Sequence, residues 1–80
     1  MLLSVTHISV DTMPPRKKLS RMIRQLREER KMSQLELAQK SGVAQGYISE
    51  LEAGTKGNPG LDVLKKLAKA LDVPVTELLG

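Results

Sequence analysis

The 80-residue chain has no cysteine, no tryptophan and no phenylalanine, and its single aromatic residue is Tyr47. Without cysteine, disulfides, thiolate metal sites and cysteine nucleophiles are excluded, and the cytoplasm is the expected compartment. With so few aromatics, a core has to be assembled from Leu, Ile, Val, Met and Ala. Histidine is equally scarce. His7 is the only one and has no second ligand candidate near it, so neither a metal nor a cofactor is expected. No His, no Cys and no convergent acid–base pair stands elsewhere in the chain, which argues against an enzyme. No apolar run approaches the roughly 20 residues of a membrane span. Residues 1–10 also lack the basic stretch and small-residue cleavage site of a signal peptide, so no membrane partner is expected.

What is present is compact and basic. A chain this short holds one domain with one small core, burying about 60% of the surface its unfolded form exposes. The formal net charge is +4. It is unevenly spread, because residues 16–31 hold eight basic side chains and only two acidic ones, Glu28 and Glu29. Concentrated positive potential suits an acidic partner. A basic run by itself is more often just a solvated helix face.

Residues 1–12 carry no basic residue and are rich in Val, Ile, Thr and Ser, a composition that reads as a strand or an extended tail. Met13-Pro14-Pro15 breaks the chain, since the residue before a proline avoids helical geometry. The expected division is therefore a tail and linker over residues 1–15 and a folded domain over 16–80. After the break, Leu19, Met22, Ile23 and Leu26 repeat at the spacing of one buried helix face, predicting a first helix that ends near Lys31. Ser33 with Glu36 three residues later forms a capping box for a second helix, which runs to about Ser41 and stops at Gly42. A third starts near Gln45, turns Ile48 and Leu51 inward, and ends at Gly54. Residues 54–60 are turn-forming throughout. No strand precedes them and no Gly-Lys-Ser/Thr follows, so they are not a phosphate loop of the nucleotide-binding kind. Leu61, Leu64, Leu67, Ala68 and Leu71 mark an amphipathic fourth helix, and Pro74 opens a fifth over residues 75–79. The fold class is all-α, with five helices.

Residues 34–53 carry the functional signal. Two helices joined by so tight a turn cross steeply, so small residues are needed where they meet; Ala38 permits the approach and Gly42 takes the turn. Val43, Ile48 and Leu51 lock the third helix against its neighbours. That leaves Gln45, Gly46, Ser49 and Glu50, together with Tyr47, facing outward. A helical hairpin that merely builds a core or a protein-binding face is the bland alternative. The basic first helix and Lys56 in the following loop favour DNA.

Through residues 23–30, Ser33-Gln34, Leu37-Ala38, Gly42-Val43, residues 48–54, Asn58-Pro59 and residues 67–71, the chain resembles the lambda repressor/Cro-like helix-turn-helix family, also called the Xre family. The resemblance spans about residues 19–79. It implies a compact five-helix domain that binds double-stranded DNA as a transcription regulator, usually a repressor. A homodimer on an operator with paired half-sites would insert the third helix into the major groove. Residue by residue, it implies base reading by Gln45, Tyr47, Ser49 and Glu50, with Gln45 on adenine. At Gly46, where relatives often have a reading side chain, that contact is lost. Glu50 either accepts from a cytosine amino group or repels phosphate. Gln34, Arg24, Thr55, Lys56 and Asn58 fall where relatives grip the phosphate backbone. Arg27 and Glu52 fall where relatives place an internal ion pair. Ala44 replaces the usual Ser or Thr cap, which should weaken the start of helix three by about 1 kcal/mol. Asp72 replaces a common glycine, tolerable because Asp enters the left-handed region more easily than most residues.

Two further expectations concern partners. Val75, Leu78 and Leu79 would leave an apolar end suited to dimerisation, and residues 1–10, if ordered, could pair between copies as strands; a tail with no structural part is the other reading. A rival function is an antitoxin-type interaction protein that binds a toxin as its protein partner and autoregulates through DNA.

Overall fold

A proline fits the first turn of a helix, where its missing N–H has no partner to lose. Helix α1 (Pro15–Glu29) accordingly begins on Pro15 itself rather than after it. The computed structural model describes residues 15–56 and 58–79, with side chains from Lys18 onward. The tail expected at residues 1–12 lies outside them. Four more helices follow: α2 (Gln34–Ser41), α3 (Gln45–Ala53), α4 (Leu61–Leu71) and α5 (Thr76–Leu79). There is no strand among the described residues.

The ends of these helices are set by local chemistry. Ser33 Oγ accepts from the Glu36 N–H at 3.0 Å while the Glu36 carboxylate accepts from the Ser33 N–H at 2.9 Å, so the capping box of α2 is complete. Gly42 then closes α2 at φ +77°, in the left-handed region that a residue without Cβ enters freely. Its N–H makes a single five-to-one bond to the Ala38 carbonyl, whereas three other helices end in a six-to-one, five-to-two closure with Lys31, Gly54 and Asp72 as the left-handed residue. Asp72 takes φ +59°, the geometry inferred from its place in the sequence. Lys31, at φ +55°, has no such signal. The Met32 N–H bonds the Arg27 carbonyl there, so regular helix stops at Glu29 and residues 30–31 form its cap.

The core is aliphatic. Ile23, Leu37, Ile48, Leu67 and Leu71 are wholly enclosed, joined by Ala38, Val43, Leu51, Leu64, Ala68 and Leu78. Helix α1 packs on α3, α2 on both α3 and α4, and α5 across α1 and α4. Leu19, Met22 and Leu26 are half-buried and flank Ile23, as the spacing on α1 predicted.

Two expectations are corrected. Leu61 is half exposed rather than part of the buried stripe of α4. It is the first residue of that helix, and its side chain leans toward the N-terminal end, where the open turn gives no cover. The expected apolar end at Val75, Leu78 and Leu79 is also absent as such. Tight i+3 bonds from Glu77 to Pro74 and from Leu78 to Val75 roll the segment onto the domain. Leu78 is buried and Val75 packs on the core, so only Leu79 is exposed.

Candidate nucleic-acid interface

Helix α3 is held from behind by one guanidinium. Arg27 on α1 donates from Nε to Glu52 Oε2 at 2.7 Å and from Nη2 to Glu52 Oε1 at 2.8 Å, a two-pronged pair with the last turn of α3. Its Nη1 donates to the Met32 carbonyl at 2.7 Å, tying in the α1–α2 turn. Gln34 Nε2 adds a bond to Glu52 Oε1 at 3.2 Å from the start of α2. The side chains of Arg27 and Glu52 are only 13% and 5% exposed, so both charges depend on each other for solvation. The hydrogen bond to Glu52 raises the Arg27 pKa against the opposing effect of burial, and the guanidinium stays charged at any working pH.

In front of this support stands a polar face. With Ile48 and Leu51 buried behind it, α3 exposes Gln45, Gly46, Ser49 and Glu50, and leaves Tyr47 half-buried at the margin of the core. Ala44 caps α3 with backbone alone and makes no side-chain bond, as its methyl group requires. A Cβ added to Gly46 would meet nothing within 4 Å, so no packing within the chain calls for glycine there.

The closure at Gly54 folds the next residues back over α3. The N–H groups of Thr55 and Lys56 both donate to the Glu50 carbonyl, at 3.1 and 3.3 Å, and Thr55 Oγ1 donates to the same oxygen at 3.3 Å. Lys56 Nζ then lies 3.6 Å from Glu50 Oε1 and 4.5 Å from the centre of the Tyr47 ring.

The structure thus gathers Tyr47, Glu50, Thr55 and Lys56 into one cluster and joins Gln34 to the Arg27–Glu52 pair. Asn58 is exposed in the loop. Arg24 sits on the exposed side of α1, with its ion-pair partner, Glu28, on the same helix at 3.2 Å. Sequence reasoning missed the links from Met32 and Gln34 to the buried pair, and the clasp of Glu50 and Tyr47 on Lys56. The second carries a sequence signal, because a glycine at the helix end predicts a chain that doubles back toward the residue four before it.

A small helical domain that presents one polar helix face from a rigid aliphatic support is built to be read against an outside partner. The chain belongs to the helix-turn-helix family of lambda repressor/Cro-like type, and the Helix-turn-helix family model matches residues 23–78. It is 41% identical over 62 residues to the HTH-type transcriptional regulator SinR of Bacillus licheniformis, covering 78% of this chain and 56% of that protein. The chain spans about half the length of such curated relatives. Among solved structures it is similar to the restriction-modification controller protein C.AhdI from Aeromonas hydrophila, with 36% identity, a TM-score of 0.75, and coverage of 79% of this chain and 94% of that one. It is also similar to SinR, a master regulator for biofilm formation, in complex with DNA, with 40% identity, a TM-score of 0.75, and coverage of 78% and 98%.

Proposed function

We propose that the chain is a sequence-specific double-stranded DNA-binding transcription regulator, acting as a repressor by occupying an operator. The observation that carries this reading is the outward face of α3: Gln45, Ser49 and Glu50 are exposed on a helix whose other side is locked down by Ile48, Leu51 and the buried Arg27–Glu52 pair. Polar side chains fixed on a rigid helix are what direct readout in the major groove requires. Gln45 reads a base edge; Ser49 and Glu50 face its neighbours; Gln34, Arg24, Thr55, Lys56 and Asn58 lie on the elements that meet the phosphates. Gln34 keeps one amide hydrogen for that purpose after its bond to Glu52. Two copies on paired half-sites about 34–36 Å apart would place two α3 helices in successive major grooves.

Selection of bound sequences from random double-stranded DNA should yield an operator. On it, Gln45→Ala should cost about 1–3 kcal/mol, relax the preference at one base pair per half-site, and leave the salt dependence unchanged. A variant that keeps full sequence preference would show that α3 does not read bases through Gln45.

A further inference from the structure

Glu50 and Lys56 are joined twice over. Their side chains meet at 3.6 Å, and the Lys56 N–H donates to the Glu50 carbonyl at 3.3 Å. An ion pair between two freely swinging surface side chains contributes little, because both must be ordered to form it. Here the backbone link fixes both starting points. The Tyr47 ring supplies a third wall, with its π face 4.5 Å from the ammonium. The cation expected to grip phosphate is thus occupied by a carboxylate on the helix expected to read bases.

We propose that Glu50 determines specificity through Lys56: on unrelated DNA the carboxylate and the Tyr47 ring retain the ammonium, and a cytosine facing Glu50 releases it to the phosphate backbone. This rests on α3 being the base-reading helix. A carboxylate only accepts hydrogen bonds. In the major groove guanine and thymine offer it acceptors, and adenine sets an acceptor beside its amino group. Cytosine alone presents a donor, the N4 amino group, with no acceptor beside it on the same base. Opposite cytosine, Glu50 exchanges one partner for another and Lys56 moves to phosphate. Opposite any other base, giving up Lys56 would strand a negative charge in a negative groove, so the clasp stays shut. A clasped lysine releases no counterions, and Lys56 therefore counts toward the salt dependence only on the right sequence.

The test is binding against salt concentration for the intact chain, Lys56→Ala, Glu50→Gln and the double variant. Each is measured on the selected operator, on that operator with the base pair facing Glu50 exchanged, and on unrelated DNA. Lys56→Ala should flatten the log–log salt slope by about 0.9 per half-site on the operator, and on the other two DNAs should weaken binding through the bared Glu50 carboxylate without that loss of slope. Glu50→Gln should steepen the slope by about 0.9 on unrelated DNA, and the double variant should lose that gain. Equal flattening on all three DNAs by Lys56→Ala makes the lysine a sequence-blind contact and overturns the proposal. So does an unchanged slope on unrelated DNA for Glu50→Gln, a variant of the same size at an exposed position, whose fold a melting curve verifies. If the intact chain selects no operator at all, the base-reading role of α3 falls and this proposal falls with it; an operator found with equal slopes overturns this proposal alone.

Discussion

Arg27 joins α1, the α1–α2 turn and α3 through three hydrogen bonds on one planar group. Arg27→Ala should cost about 3–5 kcal/mol of stability, because it leaves the Glu52 carboxylate enclosed with only Gln34 beside it. A denaturant midpoint checks this, and DNA affinity well below the melting temperature should fall no further than the unfolded fraction dictates. An unaltered midpoint with weakened binding would instead put Arg27 on phosphate. The pair was legible only through family resemblance, since two charges 25 positions apart leave no local pattern. Lys31 was not legible at all. Left-handed closures advertise themselves through Gly, Asn or Asp, and a lysine pressed into one by the Met32–Arg27 bond gives no sign. That geometry costs a residue with a Cβ about 1–2 kcal/mol, partly offset in a Gly variant by the entropy glycine loses on folding, about 0.5–1 kcal/mol. Lys31→Gly should therefore stabilise the fold by about 0.5–1 kcal/mol and raise its melting temperature by a few degrees.

At the scale of the element, α2 and α3 contrast. A reciprocal capping box starts α2, whereas α3 starts on an uncapped Ala44 and carries a helix-weakening glycine at its second position. Its fixed position comes from tertiary contacts, namely Ile48, Leu51, the Glu52 pair and the Gly54 closure. Since a Cβ at Gly46 meets open space, Gly46→Ala should stabilise the free domain by about 1 kcal/mol. We expect the same change to weaken operator binding, because the remaining use for a bare backbone on this face is close approach to the groove. Melting and binding curves that improve together would remove that role. Element limits were legible where a side chain sets them, as at Ser33, Gly42 and Gly54. They slipped by a residue at Pro15 and Val75, where turn geometry decides. Periodicity identified the buried faces of α1 and α4 but not how far each face is covered. That depends on neighbouring elements, and it is why Leu61 was misjudged at one end of α4 and Leu78 beyond the other.

At the scale of the whole molecule, the large exposed apolar side chains among the described residues are Leu35, Leu61 and Leu79, one on each of three helices. Scattered leucines of this kind are ordinary for a monomeric surface and do not by themselves mark a dimer contact. The pairing of copies is better tested on DNA. Inserting about five base pairs between half-sites turns them to opposite sides of the duplex and should abolish cooperative binding, while about ten should restore much of it. No cooperativity even at the original spacing would mean that the copies bind independently. The aliphatic core has an optical consequence. Tyr47 is the only aromatic chromophore in the chain, and it sits beside Lys56 at the edge of the proposed reading face, half-buried against the core. Tyrosine emission from this protein therefore comes from a single position and carries no background from the core. A fluorescence titration of the folded protein with DNA watches the clasp from that one position, and because the same ring packs on the core its emission also follows unfolding, alongside backbone circular dichroism.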